Sequence, residues 1–135
     1  FEFIETDLGD AHPNTVKFVM ETRKGNHCEV VGSSIGGGSI QITEVNGNKV
    51  EFTGDYPTLI ISHQDVPGAV SNVTSILYKE HINIAFMKVF RKQRGKGATM
   101  VFEVDNRLND DVIDEIKGID SISRVIRINP VKEEE

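Results

Sequence analysis

An α+β fold, with two helices on one face of a four-stranded antiparallel sheet, is what this 135-residue sequence predicts. Three observations point to it. Residues 56–130 run through strand-like and helix-like periods in the order β-α-β-β-α-β, the split βαβ arrangement. An Asn46-Gly47 pair sits between two alternating runs, the strongest short hairpin signal. Hydrophobic residues at 38% with 27% charged suit a globular protein, and no run nears the ~18 apolar residues of a membrane span.

In chain order, FEFIETDLGD (1–10) reads as a strand end and a turn. PNTVKFVMETRK (13–24) has a proline near its start and apolar Val16, Phe18, Val19 and Met20, which predicts a short helix stopped by Gly25. Cys28 to Val31 resume as a strand. SIQITEV and NKVEFT then flank Asn46-Gly47, with Ile40, Ile42, Val50 and Phe52 alternating with polar residues. Gly54-Asp55-Tyr56-Pro57 breaks the pattern, so residues 1–55 are expected to be one small α+β portion and 56–130 a second domain.

In that second domain TLIISH (58–63) is a buried strand and DVPG (65–68) a loop. AVSNVTSILYKEH (69–81) carries Val70, Val73, Ile76 and Leu77 at helical spacing. INIAFMKVFRK (82–92) and ATMVFEV (98–104) are strands about the turn QRGKG (93–97). DDVIDEIKG (110–118) is a second helix, SISRVIRIN (121–129) a last strand, and residues 131–135 a frayed tail. A domain of about 75 residues has a small core, so support from the first domain or a partner is expected.

Charge and cysteine content exclude several classes. Net charge is −6, concentrated in residues 1–55, where four Lys/Arg face nine Asp/Glu. An acidic chain is poorly suited to nucleic-acid phosphates. The βαββαβ order is shared with RNA-recognition domains, but Ala98 and Met100 stand where stacking aromatics belong. The single cysteine, Cys28, excludes an internal disulfide and any self-contained multi-cysteine metal cluster, and it reads as a buried strand residue. Four scattered histidines make no metal pattern, and no complete catalytic set is visible. Nothing marks the chain for export, so the cytoplasm is expected.

The stretch VGSSIGGGSIQI (31–42) needs a reason for its glycines. Gly32, four residues, then Gly37-Gly38-Ser39 approach a phosphate loop but lack its lysine. The segment after Ser39 alternates as a strand, where a phosphate loop needs a helix N-terminus. Two readings stay open. One is a glycine-rich turn. The other is a small-anion pocket between Gly36, Gly37 and Gly38 and the expected helix start at His12, Asn14 and Thr15, whose free N–H groups would favour an anion.

In HQDVPG (63–68), Gly68 would let a ligand approach the backbone, and a helix start would receive its carboxylate. His63 and Asp65 would take an amine or hydroxyl, and Asn83 is expected near the same edge. The alternative is a plain helix entry with a strand-edge asparagine. KVFRKQRGK (88–96) reads as a solvated hairpin tip.

Residues 56–130, above all LIISHQDVPGAVSNVTSILYKEHINIAFM, resemble an ACT domain, the amino-acid-sensing module of metabolic enzymes, and in particular the serine-sensing domain of D-3-phosphoglycerate dehydrogenase. That resemblance implies L-serine as effector, with its histidine at His63 and its later asparagine at Asn83. Its earlier asparagine is replaced by Asp65, which accepts from an ammonium group but cannot donate to a carboxylate.

TDLGDAHPNTVKF and VVGSSIGGGSIQITEVNG are similar to the β chain of bacterial iron–sulfur L-serine dehydratase, an L-serine ammonia-lyase, in its allosteric substrate-binding domain. This implies that Ser33, Ser34 and Gly36 to Gly38 line a small-anion pocket facing His12, Asn14 and Thr15. It also implies a longer β chain extending before residue 1, and a catalytic α chain that carries a 4Fe–4S cluster and forms pyruvate and ammonia from L-serine. The present chain would bind no cofactor, pair through its ACT domain as a homodimer, and be inactive alone. The runner-up is a free-standing amino-acid-binding module that regulates another enzyme. A third reading is a purely structural subunit.

Overall fold

A computed structural model describes residues 14–92 and 96–130. The strand end and turn expected at 1–10, His12, the centre of the 93–97 turn and the tail at 131–135 lie outside the described residues.

The first sheet is an antiparallel meander of β1 (Thr15–Glu21), β2 (His27–Gly36), β3 (Ser39–Val45) and β4 (Asn48–Phe52). Its first strand corrects the sequence reading, which expected a helix over 13–24. Val16, Phe18 and Met20 recur at spacing two, and Val19 alone lends the run a helical look; over so short a stretch periodicity does not separate the two. Pairing decides: β1 matches β2 from Thr15↔Ser33 to Glu21↔His27, and Lys17 Nζ lies 3.0 Å from Glu29 of β2.

Both ends of β3 are two-residue turns with positive φ at each central residue. Gly37-Gly38 (63° and 76°) closes β2 onto β3, and Asn46-Gly47 (50° and 77°) closes β3 onto β4. Such turns match the right-handed twist of the flanking strands.

The second sheet has the order β6-β7-β5-β8, all antiparallel neighbours, from β5 (Thr58–Gln64), β6 (Ile84–Arg91), β7 (Gly97–Val104) and β8 (Ile122–Ile128). The helices are α1 (Ala69–Lys79), between β5 and β6, and α2 (Asp110–Lys117), between β7 and β8. With the strands this makes the expected βαββαβ order.

Both faces of the second sheet are covered. On one, Leu59, Ile61, Met100, Phe102 and Val104 meet Ala69, Val73 and Leu77 of α1 and Val112, Ile113 and Ile116 of α2. Each fully buried large side chain among these contributes about 1.5–3 kcal/mol of apolar burial. On the other face, Ile60 and Val101 pack against Val45, Val50 and Phe52 of the first sheet. The small second domain is thus completed by the first, and the layers run helices, sheet, sheet. Strand β1 lies outside this packing and exposes Val16, Phe18, Val19 and Met20. No helix among the described residues is long and apolar enough to cross a membrane.

Candidate functional site

The end of β5 carries the residues the sequence singled out. Alternation turns His63 to the helix side of the sheet, with Leu59 and Ile61, and it is 4% exposed. Its Nδ1 lies 2.7 Å from the Gln64 carbonyl oxygen. A carbonyl only accepts, so Nδ1 carries a proton, and in the corresponding tautomer Nε2 is an acceptor. That Nε2 is buried without a partner, and so is Ser121 Oγ. Ser121 sits beside His63 across the β5–β8 ladder, where its carbonyl accepts from Gln64 N at 2.9 Å. An unsatisfied buried polar atom costs about 1–3 kcal/mol, and both of these lie at one end of one strand.

A short loop after β5 leads the chain into α1. Gly68 is its N-cap, at φ 88°, and no side chain caps the first turn. Ala69 N donates to the Val66 carbonyl at 3.3 Å, and the next N–H groups of the first turn, at Val70 and Ser71, have no side-chain cap and face the end of the helix that favours an anion. Asp65, between His63 and Gly68, pairs with Arg91 of β6 at 3.0 Å, and its N–H donates to the Lys96 carbonyl at 2.7 Å. His63, Asp65 and Gly68 therefore gather at one corner.

Asn83 does not join them. Strand β6 runs parallel to β5 with β7 between, so Ile84 pairs with Val104 near the start of β5, while His63 pairs with Ala98 at its end. At ~3.3 Å per residue, the length of a strand, roughly 20 Å, separates Asn83 from His63. The Asn83 side-chain amide instead donates to Asp105 at 2.7 Å. The expectation that both flank one edge within one chain is corrected by this topology.

The glycine stretch has a different geometry from the one expected. With β1 in place of a helix, no helix start stands at Asn14 and Thr15. Thr15 Oγ1 lies 2.7 Å from Ser33 Oγ, and Ser34 N donates to the Asn14 carbonyl at 2.9 Å. Gly36, Gly37 and Gly38 form the hairpin tip, where an added Cβ would meet nothing within 4 Å. The close approach is at Gly32 instead, where a Cβ would come 3.1 Å from Ile42 Cδ1.

No sequence signal marks Ser121, which follows α2 in an ordinary turn, and Arg91 reads in the sequence only as part of a charged hairpin. Cys28 is half-buried on β2. Among the described residues no group of three or more His, Cys, Asp or Glu is placed to hold a metal.

Comparison with known proteins agrees with this architecture. The ACT domain family matches residues 57–121. A probable L-serine dehydratase β chain of Bacillus subtilis is 39% identical over 127 residues, covering 94% of this chain and 57% of the relative. The L-serine dehydratase β chain of Peptoniphilus asaccharolyticus is 34% identical over 119 residues, 87% of this chain and 54% of the relative. A D-3-phosphoglycerate dehydrogenase of Methanocaldococcus jannaschii is 34% identical over 120 residues, 89% of this chain but 22% of that enzyme. The chain thus spans little more than half the length of the β chains it matches. Residues 57–121 are an ACT domain, carried by a chain similar over most of its length to L-serine dehydratase β chains.

Proposed function

We propose that this chain is the regulatory part of a cytoplasmic L-serine ammonia-lyase, sensing L-serine at the β5–α1 corner and docking on a catalytic chain that holds the 4Fe–4S cluster and forms pyruvate and ammonia. The observation that carries the sensing role is the buried, unpartnered Nε2 of His63 beside an uncapped helix start. An amino acid complements that corner: its carboxylate takes the α1 N–H groups, and its ammonium or hydroxyl donates to Nε2 and to Asp65.

Asn83 enters this reading through a second copy. A ligand the size of serine cannot span the sheet, so contact with both His63 and Asn83 requires two chains. Strand β6 is an outer strand, with Met87 and Val89 exposed beside its open edge. Antiparallel pairing of two β6 strands would bring Asn83 of one copy to the Arg91–Asp65 end of the other. Serine binding would then be linked to dimer geometry and so to docking, provided it favours one docked state.

Calorimetric titration with L-serine, with D-serine, glycine and phosphate beside it, tests the reading. Stereoselective L-serine binding that is lost in His63→Ala and kept in Asn14→Ala supports it. Loss only in Asn14→Ala would move the site to the Thr15–Ser33 region and its glycine hairpin. Preference for another amino acid would favour a sensor attached to a different enzyme, a reading supported by the similarity to D-3-phosphoglycerate dehydrogenases. No heat from folded protein would leave a docking subunit.

A further inference from the structure

The face between the two sheets changes character at one end. Its centre is apolar, with Ile60 on β5, Val101 on β7, Val50 on β4 and Phe90 of β6 packed against them. Two residues along each chain toward the β5 end, on the same side of the backbone, stand Ser62, Thr99, Asn48 and Lys92. All four segments change from apolar to donor-bearing at the same place, and those four residues line one cleft of about 130 Å³ together with His63, Ser123 and the start of β7 at Gly97 and Ala98. It adjoins a second cleft of about 270 Å³ that shares Lys92 and Thr99 and adds Lys49.

The Lys, Thr, Asn and Ser side chains of the two clefts carry hydrogen-bond donors, the Ser123 hydroxyl already donating to the Ser62 carbonyl at 3.1 Å, and no carboxylate lines either cleft. Glu51 and Asp65, the acids of the neighbouring strands and loop, are engaged by Lys88 and Arg91. Lys49 and Lys92 have no ion-pair partner among the described residues, in a chain of net charge −6. Lys49 is instead held 6.0 Å from the centre of the Phe90 ring.

We propose that this interlayer cleft binds a small anion through a phosphate or carboxylate group. Lys92 and Lys49 supply the charge, and Thr99, Ser62 and Asn48 donate from the floor and wall. Thr99 is 5% exposed and lines both clefts. The cleft adjoins the serine corner, since His63 also lines it, but the donors assigned to the anion, Lys92, Lys49, Thr99, Ser62 and Asn48, are none of the residues assigned to serine. An anion here would tie the β3–β4 turn of the first sheet to the end of the second.

The test is a ¹⁵N NMR titration of this chain at constant ionic strength, with inorganic phosphate in one arm, malonate in another and chloride as reference. The expected result is saturable shifts at Asn48, Ser62, Gly97 and Thr99 in at least one of the first two arms, the tighter arm naming the group. Lys92→Gln, an exposed change that leaves the fold intact, should weaken binding roughly tenfold, and Lys49→Gln should weaken it less. Equal shifts with chloride, no saturation with either anion, or unchanged affinity in both variants would overturn the proposal.

Discussion

The two helices begin in opposite ways. At α2, Asn109 caps the first turn by accepting from Val112 N at 3.0 Å, Asp110 and Asp111 face the positive end, and Lys117 sits in the last turn. At α1 the cap is Gly68 in a left-handed conformation, no side chain closes the turn, no acid lies in it, and His63 waits nearby with a buried unpaired nitrogen. Both helices cover the same sheet face, so packing does not explain the contrast. A finished helix start is a structural feature; one left open beside an orphaned acceptor is suited to a ligand.

Substitutions can break this contrast, and the largest effect belongs to the open end. His63→Ala removes an acceptor with no partner inside the chain, so it should weaken L-serine roughly 10- to 100-fold by calorimetry, and the loss of the buried ring and its bond to Gln64 should also lower stability in urea unfolding. Gly68→Ala should act on both counts. A Cβ there meets no neighbouring atom, but φ 88° disfavours an L side chain by about 1–2 kcal/mol, which urea unfolding would register together with weaker binding. Asn109→Ala at the closed end should cost about 1 kcal/mol of stability and leave serine affinity unchanged. A fall in affinity there would erase the distinction between the two helices.

The smallest effect concerns the strand outside the comparison. Hydrogen bonds from Lys17, then from His27, hold the Glu29 carboxyl below its ordinary range. A depressed carboxylate favours the folded state above its unfolded pKa. That contribution fades as pH falls through the lower folded value, so β1–β2 amides should lose protection, relative to the intrinsic exchange rate at each pH, before those of the second sheet.

Much of the second domain was legible because its signals agree. Val73 and Leu77 recur at helical spacing, and TLIISH reads as a buried strand from its apolar run. Residues 15–21 were not legible, since Val16, Phe18, Val19 and Met20 fit either period and only pairing with β2 decides. The separation of Asn83 from His63 was contained in the βαββαβ order itself. A crossover helix returns the chain to the starting end of the sheet, which makes β5 and β6 parallel. Ser121 and the interlayer cleft had no local signature, because both arise only when distant segments meet.

The most direct measurement mixes two inactive partners. Chains carrying His63→Ala and chains carrying Asn83→Ala would each be titrated with L-serine, then unfolded together, refolded and titrated again. If one copy supplies His63 and another Asn83, neither variant binds alone, and roughly a quarter of the sites return on mixing, one intact site in each mixed dimer, half of all dimers. If L-serine binds Asn83→Ala as tightly as the parent chain, or mixing restores nothing, the shared site is wrong.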